Sequence, residues 1–166
     1  GPLVEGGTQE GGLRAGTEPV AAIVGFGAAA RLAAAGMKAR AARAAAGADS
    51  LRATLDRRIE DVVPTGHPVR RVPGHLSLCV RGIDAEAALS ALDAQGIEAA
   101  SGSPCTTAVR KASHVLEAIG LDPLLARGAL IFSFGEMSLD GDAERTSRVL
   151  AEIVERLRRL SPLALC

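Results

Sequence analysis

The sequence predicts an α/β fold, with helices laid over a short mixed or antiparallel sheet. Three observations carry that prediction. Leu76-Ser77-Leu78-Cys79-Val80 and Ala129-Leu130-Ile131-Phe132-Ser133-Phe134 alternate as strands do, with Leu76, Leu78 and Val80 on one face of the first and Leu130, Phe132 and Phe134 on one face of the second. Leu51, Leu55, Ile59 and Val62 recur at helical spacing, as do Val149, Ile153 and Leu157. The elements follow in the order helix, helix, strand, helix, strand, helix, strand, helix, which suits helices packed against one sheet.

Each element has a local reason. Residues 1–17 are glycine-rich without periodicity and read as loop. A helix over 18–35 follows, with Thr17 as N-cap, Glu18 at the positive end, Pro19 in the first turn and Gly36 as terminator. Its glycines and alanines suggest close packing against another backbone. A second helix spans 38–62, frayed around Gly47. Pro64-Thr65-Gly66-His67-Pro68 is a turn. Asp84 caps a helix whose buried stripe is Ala85, Ala88, Leu89 and Leu92, and Gly96 closes it. Ile97-Glu98-Ala99 is read as the next strand, Ser113 to Ile119 as a helix closed by Gly120, and about Asp142 to Leu160 as the last helix. Cys79 points away from the apolar face of its strand and reads as a small filler. His75 reads as a turn residue and His114 as an exposed or capping residue.

Composition narrows the function classes. The 166 residues suffice for one domain, or one domain and a piece of another. Nearly half are apolar, but many are alanine, and Phe26, Phe132 and Phe134 are the only aromatic side chains of that size, so the core is a modest one of Leu, Ile and Val. Nineteen basic and nineteen acidic residues give a net charge of zero, and nothing in that balance attracts nucleic acid. Cys79, Cys105 and Cys166 have neither pairing pattern nor metal spacing, and no metal site is expected; a reducing, cytoplasmic setting is. No signal peptide is read, and the Ala-rich 21–46 region, broken by Arg31, Lys38, Arg40 and Arg43, is read as too short in its apolar runs to span a membrane.

Ala99-Ala100-Ser101-Gly102-Ser103-Pro104-Cys105-Thr106-Thr107 is the stretch with chemical interest. Small residues around one cysteine make a loop that leaves the sulfur uncovered, where a nucleophilic thiol is placed; a surface loop that merely contains a cysteine reads the same way. Together with Ala112-Ser113-His114-Val115-Leu116 and Ala126-Arg127-Gly128, this stretch resembles the cysteine desulfurases, pyridoxal-phosphate enzymes of the class V aminotransferase type. The run Gly6-Gly7-Thr8-Gln9-Glu10, continuing to Arg14-Ala15-Gly16-Thr17-Glu18-Pro19-Val20, is similar to that family's Gly-Gly-Gly-Gln-Glu and Arg-Ser-Gly-Thr-Glu-Asn-Val segments, with Thr8 in place of a glycine and Gly11 in place of an arginine. The resemblance covers essentially the whole chain but only the C-terminal part of the family. The family's short strand before its Gly-His-Pro is clipped here, so the resemblance implies a missing edge strand ahead of Gly66-His67-Pro68.

The resemblance implies the small C-terminal domain of the aspartate-aminotransferase-type fold over residues 37–166, carrying the cysteine loop, and a large-domain remnant with the interdomain helix over 1–36. It implies that Cys105 accepts sulfur from L-cysteine as a persulfide, with release of alanine, for delivery to an acceptor protein, often for iron–sulfur cluster assembly. Such a thiol needs partial exposure and a lowered pKa. Thr17 is implied to reach the pyridoxal-phosphate phosphate group of the other subunit in a homodimer. Partners implied are L-cysteine, an N-terminal half or a full desulfurase subunit, and the acceptor; a membrane is not among them.

Three departures weigh against activity in this chain alone. Lys38 and Lys111, its only lysines, lie outside the Ser-x-His-Lys context in which the family binds its cofactor. Ile131 stands where the family's Ser-Ile-Arg-Phe-Ser-Leu-Gly strand carries a carboxylate-gripping arginine, a loss of roughly 1.5–3 kcal/mol. Glu136 replaces a basic residue. The alternatives are a non-enzymatic persulfide carrier or interaction module, a decayed fragment, and a pyridoxal-phosphate enzyme for another substrate.

Overall fold

A computed structural model describes residues 1–102 and 113–160. The chain divides into two compact units, Gly1–Lys38 and Ala39–Cys166.

In the first unit, Val4 and Arg14 form a parallel bridge around a 3-10 turn at Gln9–Gly12, where Glu10 and Gly11 both have positive φ. Arg14 donates from Nη1 to the carbonyl of Gly16 at 2.8 Å. The first half of a long helix, α1 (Val20–Arg58), completes the unit.

One continuous α1 replaces the two helices expected at 18–35 and 38–62. Gly36 does not stop it, because a glycine weakens a helix by only about 1 kcal/mol while the flanking alanines are the strongest helix formers. Gly47 stays helical for a further reason, since a Cβ there would lie 2.5 Å from the Phe134 ring: the helix needs the notch. Thr17 lies three residues before the helix and is not its N-cap. Continuity also corrects the membrane reading. An 18-residue window of α1 has a mean hydropathy of 1.7, so by length and composition the helix is able to cross a membrane.

In the second unit the helix ends at Arg58, and Asp61, at φ 57°, turns the chain into β1 (Val62–Pro64). Aspartate tolerates that left-handed conformation better than most residues. The strand before Gly66-His67-Pro68, expected to be missing, is therefore present. It is an edge strand of three residues, and Pro64 is tolerated there because an edge N–H is dispensable. β1 pairs antiparallel with β2 (His75–Val80), which pairs antiparallel with β3 (Ala129–Ser133), giving the order β1-β2-β3. Leu76 lies opposite Phe132 and Leu78 opposite Leu130. The sheet is antiparallel throughout.

One face of the sheet carries the main core. Leu76, Leu78, Val80, Leu130 and Phe132 meet Ala48, Leu51 and Leu55 of α1, Ala88 and Leu92 of α2 (Ala85–Asp93), and Leu150, Ile153 and Val154 of α5 (Asp142–Leu160). Asp84 caps α2 as expected, its carboxylate accepting from the N–H groups of Glu86 and Ala87. Arg58 and Arg158 are more than solvated charges: Arg58 pairs with Glu144 and donates to the buried Ser147, and Arg158 donates to the carbonyls of Glu60 and Arg81. They fasten the end of α1 and the chain around β1 and β2 to α5.

The opposite face has its own small cluster. Cys79 and Ala129 pack with Leu116 of α3 (His114–Ala118) and with Leu125 and Ala126 of α4 (Pro123–Ala126). α4 is absent from the sequence reading, although Asp122 as N-cap before Pro123 is a start signal. The strand expected at Ile97-Glu98-Ala99 is also absent. That segment is coil, and it meets the sheet through a single antiparallel bridge between Ala100 and Ile131.

Candidate functional site

The last described residues before Cys105 are held at a defined point of the second unit. Ala100 donates to the Ile131 carbonyl at 3.0 Å, and Ile131 donates back to Ala100 at 2.6 Å. Two residues on, Gly102 has φ +70°, and a Cβ there would sit 2.8 Å from Cδ1 of Ile131. No L side chain suits that backbone and that contact together, so glycine is required. Ile131 is half-buried, on the sheet face opposite the main core, and holds the loop's entry against β3.

Ile131 belongs to a row that crosses the sheet. Ser77 is its neighbour on β2, and the Ser77 hydroxyl bonds to the Thr65 hydroxyl beyond the end of β1. Arg71 is held at that far end, donating from Nε to the His67 carbonyl and from Nη2 to the Thr65 carbonyl. His67 accepts on Nδ1 from the N–H groups of Val69 and Arg70, and the imidazole shapes the turn.

Past the loop, Ser113 precedes α3 and His114 is exposed in its first turn, in line with the sequence reading. Leu116 anchors α3 to the Cys79 cluster. Cys79 is fully buried and burial pushes its thiol up to about 11, which leaves it protonated and unreactive at neutral pH. It is the filler the strand pattern predicts. His75 is exposed and begins β2, where it pairs with Ser133.

Cys105 lies outside the described residues, as do Pro104, Arg110 and Lys111. Thr17 is exposed in the coil between Gly16 and α1. Among the described residues no group of three or more His, Cys, Asp or Glu side chains is arranged to hold a metal ion. A salt-laced cleft lies beside the end of α1, lined by Arg58, Arg148, Arg158, Arg159, Glu60 and Glu152 among others. Its guanidinium groups are largely engaged with carbonyls and carboxylates of the same unit.

Known proteins explain why these features occur together. The family model for aminotransferase class V matches residues 6–138. The chain belongs to the class V aminotransferase family. It is 39% identical to the cysteine desulfurase IscS 1 of Archaeoglobus fulgidus over 168 residues, covering 98% of this chain and 42% of that protein. It is 40% identical to an IscS-like cysteine desulfurase of Mycobacterium tuberculosis, covering 95% of this chain and 40% of that one. Among solved structures, a NifS-like protein from Rickettsia africae superposes with a TM-score of 0.75 at 27% identity, over 93% of this chain and 40% of that chain. The chain thus spans about 40% of the length of the relatives it matches, and its fold is that of part of a NifS-like pyridoxal-phosphate protein.

Proteins of this family depend in general on pyridoxal phosphate, and the described residues do not fit that group by themselves. A covalent hold needs a lysine in a cleft. Lys38 is exposed on α1, Lys111 lies outside the described residues, and none of the described clefts is lined by lysine.

Proposed function

We propose that the chain is the C-terminal part of a cysteine desulfurase in which Cys105 takes sulfur from L-cysteine and hands it to an acceptor protein. The net change balances simply. An S–S bond forms at Cys105, the substrate's Cβ–S bond breaks, and a proton ends on Cβ to leave alanine. The observation that carries the reading is the 39% identity to a cysteine desulfurase along nearly the whole chain. In this reading, residues 1–36 are a large-domain remnant with the interdomain helix and 37–166 are the small domain. Thr17 contacts the cofactor phosphate within a homodimer, and the setting is cytoplasmic. The cofactor lysine and most of the cofactor's surroundings come from an N-terminal half.

The test is alanine production from L-cysteine, with and without the N-terminal portion of the Archaeoglobus relative. The chain alone is expected to bind no pyridoxal phosphate and to make no alanine. With the complement, turnover is expected, Cys105→Ala abolishes it, and Thr17→Ala lowers cofactor retention. Alanine production that survives Cys105→Ala overturns the reading.

Ile131 favours a second reading, a persulfide carrier without cofactor chemistry. A side chain with no charge stands where the resemblance implies a carboxylate grip. Persulfide labelling of Cys105 by a donor desulfurase, with no turnover in any complemented mixture, selects the carrier.

A further inference from the structure

We propose that His75 holds the α-carboxylate of the substrate amino acid, donating to it from the imidazole on the sheet face where Ile131 offers no donor. The proposal rests on the sulfur-transfer reading above and names how its substrate is held.

A free amino acid carries a carboxylate at neutral pH, and a carboxylate leaving water must meet a cation or hydrogen-bond donors. The place to look for them is the sheet face that the chain crosses on its way to Cys105. Gly102 lies against Ile131, three residues before that cysteine. Ile131 faces away from the main core, and so do His75, Ser77 and Cys79, which alternate with the core residues of β2. The Cys79 end of this face is closed by Leu116 of α3 and by Leu125 and Ala126 of α4. The His75 end is open, since His75 and its partner Ser133 are both exposed.

The polar groups near the open end differ in what they have to spare. The Ser77 hydroxyl is paired with that of Thr65. Arg71 spends Nε and Nη2 on the carbonyls of His67 and Thr65, beyond β1 and so two strands from Ile131. Ser133 offers a neutral hydroxyl. The His75 imidazole bonds to none of the described residues. A neutral imidazole presents one N–H and an imidazolium two. Position agrees with chemistry. Ser77 lies opposite Ile131, and His75 is two residues before Ser77. The two side chains are therefore diagonal neighbours on one face, about 7–8 Å apart. A carboxylate laid against Ile131 is within reach of the imidazole.

The fold also holds His75 in place. Gly74, at φ +79°, is so tightly enclosed that a Cβ there would lie 2.6 Å from Cβ of Ala44 and 2.8 Å from the Phe134 carbonyl oxygen. Its carbonyl accepts from the Phe134 N–H at 2.8 Å, and the His75 N–H donates to the Val72 carbonyl at 3.3 Å. The residue before His75 is thus fixed to α1 and to the end of β3. A donor carried on a fixed backbone loses little freedom when it binds.

The experiment uses this chain, labelled with carbon-13 at Cε1 of histidine, mixed with the unlabelled N-terminal portion of the Archaeoglobus relative. His67, His75 and His114 give the labelled resonances, and His75→Ala identifies its own. The His75 resonance is expected to move on addition of L-alanine and to stay with ethylamine, which lacks the carboxylate. In turnover, His75→Ala is expected to raise KM for L-cysteine at least tenfold with kcat changed less than threefold. Ile131→Arg, added to His75→Ala, is expected to bring KM back to within threefold of the parent value. An arginine on the next strand would not replace a histidine whose role is only structural. A His75 resonance that ignores L-alanine, or answers equally to ethylamine, overturns the proposal. So does an unchanged KM, or a raised KM that Ile131→Arg leaves in place. If the mixture makes no alanine, the resonance decides alone. Turnover that survives Cys105→Ala, with the His75 resonance still answering to L-alanine, sinks the sulfur-transfer reading and leaves the carboxylate contact standing. Turnover that needs Cys105 but has a KM indifferent to His75→Ala does the reverse.

Discussion

Two glycines in one helix, twenty residues apart, separate the two units of this chain. Around Gly47 the helix is half of a finished interface. Ala44, Ala48, Leu51 and Leu55 are buried, and Phe134 fills the notch. Around Gly27 the same helix type carries apolar residues on every side, and its large ones are more than half exposed. Helical propensity is equally good in both stretches, so it is not what distinguishes them. What differs is periodicity. The Leu51, Leu55, Ile59 spacing concentrates burial on one stripe, and one stripe is what a single sheet can cover. The Ala39–Cys166 unit therefore closes its own core, while the Gly1–Lys38 unit contains little that is buried.

The largest effect that tests this contrast is Leu51→Ala. Leu51 is fully buried among the core residues of α1, β2, β3 and α5. Truncation should cost about 2–5 kcal/mol, read by urea unfolding. A loss well under 1 kcal/mol would mean that the second unit is as loosely built as the first.

Gly128→Ala comes next. A Cβ at Gly128 would lie 2.0 Å from the Val80 carbonyl oxygen, which is backbone and cannot swing away. The Val80 N–H also donates to the Gly128 carbonyl at 2.9 Å. Forcing these apart should cost about 1–3 kcal/mol. An unchanged midpoint would show that the turn entering β3 is not packed as described.

Cys79 gives a smaller, pH-dependent effect. Its thiol is raised to about 11 by burial, so the unfolded chain releases this proton at lower pH than the folded one. The stability tied to the neutral thiol is complete below the ordinary cysteine range and is lost as pH rises through the folded value. Unfolding of the parent and of Cys79→Ala at a series of pH values between 8 and 10.5 should show the parent's advantage shrinking as pH rises. A constant difference would mean that Cys79 is wetter than its place against Ala129 and Leu116 implies.

How much of this was legible in the sequence varies with the length of each signal. β2, β3 and α5 stand out because several residues repeat at one period, and Asp84 announces α2 by capping chemistry alone. β1 escapes because three residues ending in proline carry no alternation to read. Gly36 looks like a helix stop and is not one, since a C-cap signal is local while the alanines on both sides vote for continuation. Ile97-Glu98-Ala99 has strand-like composition but makes only the Ala100–Ile131 bridge. On the candidate site, the Cys105 loop is visible through its resemblance to a known family, but the Gly102–Ile131 contact that anchors its entry joins residues 29 positions apart and has no local signature. The Arg58–Ser147 and Arg158–Glu60 fastenings are hidden for the same reason: arginine on a helix face reads as solvated until the partner carbonyl or hydroxyl is in place.

Leu32→Ala is the smallest expected effect and the sharpest control on the contrast with Leu51. The two leucines share a helix and a side chain, and differ in that Leu32 is 73% exposed and Leu51 fully buried. Removing the exposed one takes little away from folding, because it is as wet in the native chain as in the unfolded one, and alanine is the better helix former. In the isolated chain the change should stay within about 0.5 kcal/mol of zero by urea unfolding. If Leu32→Ala costs the isolated chain more than about 1 kcal/mol, the first half of α1 already has an intramolecular partner.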